Sequence, residues 1–132
     1  MTYWDPLRKK EVAATPEEKV RQWFIGVLAE GLKVPMHLMM SETGFTFGAK
    51  RYGADILVWD RQGRPLAVVE CKAPQIKLDA EVARQAMRYN AVLDVMLIIL
   101  TNGESTLAFS READSFRPLR ELPTYEQMLC LR

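Results

Sequence analysis

The sequence predicts an α/β sandwich in which a mixed β-sheet packs between helices. Two observations carry this. Segments with helix-start signals at Thr15 and Asp79 alternate with runs of aliphatic and β-branched residues at 53–60, 65–74 and 95–100. The first two runs are separated only by Arg61-Gln62-Gly63-Arg64, the spacing of an antiparallel hairpin. Helix, strand, hairpin, helix, strand is an order that builds one layered α/β unit. A chain of 132 residues makes that unit a single domain over 1–132, with 1–14 as an N-terminal arm and 111–132 as a C-terminal extension.

In chain order, Arg8-Lys9-Lys10 is a basic run with two readings, a phosphate contact or a solvated arm. Thr15-Pro16-Glu17-Glu18 then starts a helix: Thr15 is an N-cap, proline suits the first helical position, and Glu18 is spaced to complete a capping box. Val20, Trp23, Phe24, Val27 and Leu28 form its expected inward stripe, and Gly31 its end. At 100° per residue Glu17 lies at the edge of that stripe while Glu18 points away, so Glu17 is the better candidate to look into a site.

Met36 to Glu42 is expected as the first strand, and 43–53 as a turn or short strand ending in Lys50 and Arg51, open to a role as phosphate contacts or as loop solubilisers. After the hairpin, Ala73-Pro74 stops the strand, and Asp79 caps a second helix running to Leu93. Val82, Ala86, Tyr89 and Leu93 face inward there, with Gln85 one turn before Tyr89, while Arg84 and Arg88 point outward. Val95 to Leu100 is continuously apolar, as a central strand buried on both faces would be. Thr101-Asn102-Gly103-Glu104 turns it into an expected edge strand, 105–109, and a short helix over Tyr125 to Leu131 closes the chain.

The chemistry gathers on the hairpin. With Asp60 facing Pro65, each step outward moves one residue on both strands and sets Asp55 opposite Glu70. Period-two alternation puts Asp55, Glu70 and Lys72 on one face. Opposed residues have Cβ atoms roughly 5 Å apart, where two carboxylates repel unless a cation lies between them. Hard divalent cations take carboxylate oxygens and keep positions open for water and phosphate. A lysine two residues on can orient or deprotonate water, or stabilise charge growing on phosphate. The aliphatic residues around these charges make a partner or a metal necessary.

Asp55 with Glu70-Cys71-Lys72 resembles the PD-(D/E)xK nuclease superfamily. Arg8-Lys9-Lys10, Thr15 to Gln22, Glu70 to Pro74, Gln85 to Asn90 and Thr101-Asn102-Gly103 resemble, in order, the N-terminal nuclease domain of type I restriction enzyme restriction subunits. The likeness runs from about Asp5 to about Phe109 and is closest to small free-standing proteins built from that domain alone. It implies a restriction-endonuclease-like core and metal-dependent hydrolysis of DNA. Asp55 and Glu70 would hold Mg²⁺, or Mn²⁺ in its place, with the Cys71 backbone carbonyl as a further ligand. Lys72 would assist the attacking water, and Glu17, Gln85 and Tyr89 would support the site. Taken without the family, Tyr89 reads as core and Gln85 as bonding a strand edge.

Composition bounds the rest. A net charge of +1 makes any DNA-binding surface local. No apolar run approaches the length of a bilayer span, and Met-Thr-Tyr-Trp-Asp-Pro is no signal peptide. Cys71, Cys130 and the lone His37 offer neither a disulfide framework nor zinc spacing, so reduced thiols in a cytoplasm are expected. Expected partners are DNA and a second copy or a separate motor or specificity protein, with no membrane. A rival reading keeps the nuclease fold as a catalytically silent module for DNA binding or assembly. An RNA-binding domain is weaker, because the aromatics sit mostly at core-facing positions.

Overall fold

The computed structural model describes residues 1–47, 50–90 and 94–132, with the side chains of 42–53 and 89–90 outside that description. An antiparallel ribbon, β1 (Thr2–Asp5) and β2 (Lys10–Ala13), precedes helix α1 (Pro16–Gly26). A six-stranded sheet follows in the sequential order β3 (Met39–Phe47), β4 (Lys50–Trp59), β5 (Pro65–Cys71), β6 (Leu97–Thr101), β7 (Thr106–Glu112) and β8 (Ser115–Leu119). Only β5 and β6 run parallel, and helix α2 (Ala80–Asn90) lies in the chain between them. Parallel neighbours cannot be joined by a tight turn, which is why the one helical crossover falls there. Helix α3 (Tyr125–Leu129) ends the fold. The sheet is mixed and helix-flanked, as the sequence predicts.

Each face of the sheet packs its own helices. Ile56, Val58, Val69, Leu97 and Ile99 meet Phe24, Ile25 and Leu28 of the first helical segment and Tyr125 and Met128 of α3. Leu57, Val68, Ile98 and Leu100 meet Ala83 and Ala86 of α2. All five residues of β6 are buried, the consequence of helices covering both faces. Tyr125 ties α3 to the hairpin by donating its hydroxyl to the Trp59 carbonyl at 2.8 Å.

Several elements depart from the sequence reading. Thr15 Oγ1 accepts the Glu18 amide at 3.0 Å, but the capping box is only half made. The Thr15 amide donates to the Ala13 carbonyl at 2.9 Å, and the Glu18 carboxylate is taken by Arg8 at 2.7 Å and Gln22 at 3.1 Å. The inward face of α1 is Glu18, Val20, Arg21, Phe24 and Ile25, and the expected core residue Trp23 is 48% exposed. Paired charges on that face turned the helix from the orientation that apolar residues alone dictate. The helix then loosens into a π-helical turn, Val27–Gly31.

Met36–Leu38, expected as strand, is a single 3₁₀ turn, and β3 starts only at Met39. The arm at 1–14 contributes the β1–β2 ribbon, and the stretch from 111 onward contributes β8 and α3 to the sheet and core. Hence β7 is an interior strand, with β8 at the edge. Leu93 lies outside the described residues, so the expected end of the second helix is not addressed; its start is capped, with Asp79 Oδ1 accepting the Val82 amide at 3.0 Å.

Candidate active site

The hairpin register pairs Ile56 with Val69 and Leu57 with Val68, so one further step along both strands brings Asp55 level with Glu70. The register slips by one between Val58 and Trp59, where Trp59 rather than Asp60 pairs with Pro65. That bulge is confined to the turn end and leaves the Asp55 end in the expected frame. Asp55 Oδ2 accepts the Cys71 amide at 2.7 Å, and Oδ1 lies 3.3 Å from Nη2 of Arg21.

The two strands present their acids differently. Ala54 packs with Leu57 on the α2 face while Ile56 packs on the other, so alternation breaks at Asp55 and its carboxylate turns towards α1. Glu70 and Lys72 instead line a cleft of about 410 Å³ beside α2, with Ile76, Val82, Gln85 and Leu100. The expectation that all three charges share one face is corrected accordingly: they meet at the end of the hairpin from two sides. Glu17 stands on the α1 side, half exposed, 3.9 Å from Arg21 Nη2. The Tyr89 side chain lies outside the described residues, as do those of Lys50 and Arg51.

Cys71 is the hinge between the two sides. Its amide orients Asp55, and its thiol is buried. Burial first, then the Asp55 carboxylate, push that thiol far above its ordinary range; Arg21 opposes this, while Glu70 and Glu17 add to it. It is no nucleophile.

A chain of ion pairs continues behind Asp55. Arg21, buried, reaches Glu18 at 3.6 Å, and Glu18 accepts from Arg8, which also pairs with the fully buried Asp5. Burial pushes the Asp5 carboxyl up, but the Arg8 guanidinium and the amides of Arg8 and Leu7 outweigh it and hold the group below its ordinary value. Arg8 therefore fastens the ribbon to α1. Of its two sequence readings, neither described this role.

Beyond Lys72 the chain is held by the turn after β6. The Lys72 amide donates to the Thr101 carbonyl at 2.8 Å, and Asn102 Nδ2 donates to the Ile76 carbonyl at 2.8 Å. Asn102 Oδ1 accepts the amides of Glu104 and Ser105 at 2.9 and 2.7 Å. Gly103 completes the turn at φ +87°, a conformation glycine adopts without penalty. Thr101-Asn102-Gly103 thus fixes the wall of the Lys72 cleft.

The donor set suits a hard cation. Asp55 and Glu70 stand level on neighbouring strands at the hairpin end, Asp55 towards α1 and Glu70 in an open cleft, and Mg²⁺ characteristically takes one or two carboxylates and fills its remaining positions with water and phosphate. Among the described residues no three His, Cys, Asp or Glu side chains converge on one point.

The family profile for the type I restriction enzyme R protein N terminus (HSDR_N) matches residues 16–123. The chain belongs to this HSDR_N family. Among solved structures, the HSDR_N domain described here is similar to a fragment assigned as an HsdR subunit of a type I restriction enzyme from Vibrio vulnificus YJ016, with TM-score 0.68 and 22% identity over 91% of this chain. It spans only 25% of that protein's chain. It is also similar to a protein assigned as a nuclease of DUF820 from Anabaena variabilis ATCC 29413, with TM-score 0.55 and 12% identity, over 95% of this chain and 82% of that one. Both likenesses concern the fold. No curated protein matches the chain.

Within this HSDR_N chain, sequence reasoning missed Arg21 and Asn102. Arg21 follows Val20 on a helix whose apolar residues appeared to define the buried face, and charge hid its burial. Asn102 had a signal, since Asn-Gly between two strands marks a turn, but its hold on Ile76 is a tertiary contact.

Proposed function

We propose that this domain is a metal-dependent DNA endonuclease that hydrolyses phosphodiester bonds. The observation that supports the reading is that Asp55, its carboxylate oriented by the Cys71 amide, stands level with Glu70, which lines an open cleft with Lys72 and Gln85. Asp55 and Glu70 would hold Mg²⁺ or Mn²⁺, with the Cys71 carbonyl as a further oxygen ligand. The ion, when bound, supplies Lewis-acid polarisation of the phosphate and lowers the pKa of water.

The chain's own residues do the rest. Lys72 holds the attacking water through Nζ and stabilises charge growing on the phosphate oxygens. Gln85, which lines the same cleft, positions that lysine or the DNA backbone through its amide. Tyr89, one turn further along α2, belongs to the same proposed set, and Glu17 adds negative charge from the α1 side. A single centre cuts one strand, so a duplex substrate calls for a second copy or a motor or specificity partner, in a cytoplasmic setting.

One observation favours the rival, a silent module for DNA binding or assembly: Arg21 already occupies Oδ1 of Asp55. The two readings separate by calorimetry with Mg²⁺ and Mn²⁺ on the native protein and on Asp55→Ala, alongside cleavage of plasmid, linear, branched and single-stranded DNA. Metal binding lost with Asp55 and cleavage lost with Lys72→Ala are the expected results. Metal binding without cleavage would point to a partner-dependent enzyme, and no metal binding with or without DNA would sink the mechanism.

A further inference from the structure

We infer that Arg21 is a positioning residue that stands in for the dication on Asp55 and sets how tightly that dication binds. The inference rests on the reading of Asp55 as a metal ligand. Arg21 is 4% exposed and reaches out from α1 to the strand carrying Asp55. Its guanidinium lies 3.3 Å from Asp55, 3.6 Å from Glu18 and 3.9 Å from Glu17. Glu18 is shared with Arg8, which is shared in turn with Asp5. The described network therefore sets two guanidiniums against four carboxylates, and Glu70 with Lys72 adds one charge of each sign.

A dication on Asp55 would join this carboxylate-rich network. Without it, Arg21 is the cation nearest to Asp55 in the described network and compensates that part-buried carboxylate. With it, Arg21 and the dication would share the Asp55 carboxylate and repel each other. The Cys71 amide holds Oδ2 independently at 2.7 Å, so the carboxylate keeps its orientation when the guanidinium yields. The arginine thus stabilises the metal-free protein and weakens metal binding, keeping the ion exchangeable.

The decisive comparison is Arg21→Met with Arg21→Lys, by calorimetric titration with Mn²⁺ and by the rise in melting temperature that saturating Mn²⁺ produces. Removing a unit charge about one contact distance from a dication is expected to tighten binding by roughly tenfold even at water-like screening. Arg21→Met should melt lower than the native protein without metal and gain more from Mn²⁺, while Arg21→Lys, which keeps the charge, should bind within about twofold of native. A purely structural arginine would give lower melting with unchanged or weaker binding in Arg21→Met, and that result overturns the inference.

Should Arg21→Met fail to fold, Glu18→Gln reverses the sign. It leaves more of the Arg21 charge to Asp55, and Mn²⁺ binding should weaken several-fold; no change, or tightening, overturns the inference. Native protein whose Mn²⁺ binding is absent, or survives in Asp55→Ala, defeats the metal-ligand reading itself. Asp55-dependent binding that ignores Arg21 and Glu18 defeats this inference alone.

Discussion

Strand β4 and the turn after it carry two aspartates, and the fold treats them in opposite ways. Asp60 is closed over: its carboxylate accepts the amides of Gln62 and Arg64 at 2.9 Å each and the Arg64 guanidinium at 3.1 Å, and its side chain is 3% exposed. Asp55 receives one amide and one guanidinium, and its side chain is 19% exposed beside a region of open clefts. A carboxylate whose task is to shape a turn is saturated by local backbone. One held by a single amide and one guanidinium keeps lone pairs for something that arrives later.

The largest expected effect tests the open end. Lys72→Ala should reduce DNA cleavage at least about a hundredfold, the range for losing a group that acts on water or phosphate in the transition state. Its denaturant midpoint should stay close to native. A variant that loses cleavage only in step with stability would erase the contrast between the two ends.

The closed end should behave in the opposite sense. Asp60→Ala strands two amides and a guanidinium around a buried position, and should cost about 2–3 kcal/mol of unfolding free energy by urea denaturation. Cleavage, assayed below its melting range, should be within about twofold of native. Burial raises the Asp60 carboxyl, but the amides of Arg64 and Gln62 and the Arg64 charge outweigh it, so the folded value lies below the ordinary 3.8. Its contribution is therefore complete above pH 3.8 and is lost as pH falls through the lower, folded value. Asp5 behaves likewise. Native protein should lose stability steeply below about pH 4, and Asp60→Asn should flatten that slope in acid titrations followed by circular dichroism.

The smallest effect concerns the wall between the ends. Gly103→Ala places a Cβ 3.3 Å from Val20 Cγ2 at φ +87°, and should cost about 1 kcal/mol. Thermal melting reads this directly; an unchanged midpoint would mean that the turn relaxes without consequence for the segment it holds.

The sequence made some of this legible and hid the rest for physical reasons. The frame at Asp55 and Glu70 followed from counting along a hairpin, since a short turn leaves few registers open. Thr15 and Asp79 were readable as caps because capping is local chemistry. The buried face of α1 was misread because Glu18 and Arg21 are inside only by virtue of partners from the ribbon and from β4, which no single helix displays. The break of alternation at Asp55 was likewise invisible. So was β8, whose Arg117 and Pro118 look like loop until β7 pairs with them. Helix propensity and period are properties of segments, while charge burial is a property of the assembled fold.

The outer strand has one more consequence. An unpaired sheet edge is a template on which another chain can grow, and an exposed run of backbone donors invites aggregation. β8 places Arg117 and Pro118 on that rim, and an edge-strand proline takes one donor off the outward row. Copies of this domain that stack edge to edge through β8 would meet a charged side chain and a missing hydrogen bond. If two copies act together on a duplex, as the proposed function requires, pairing through the β8 edge is disfavoured.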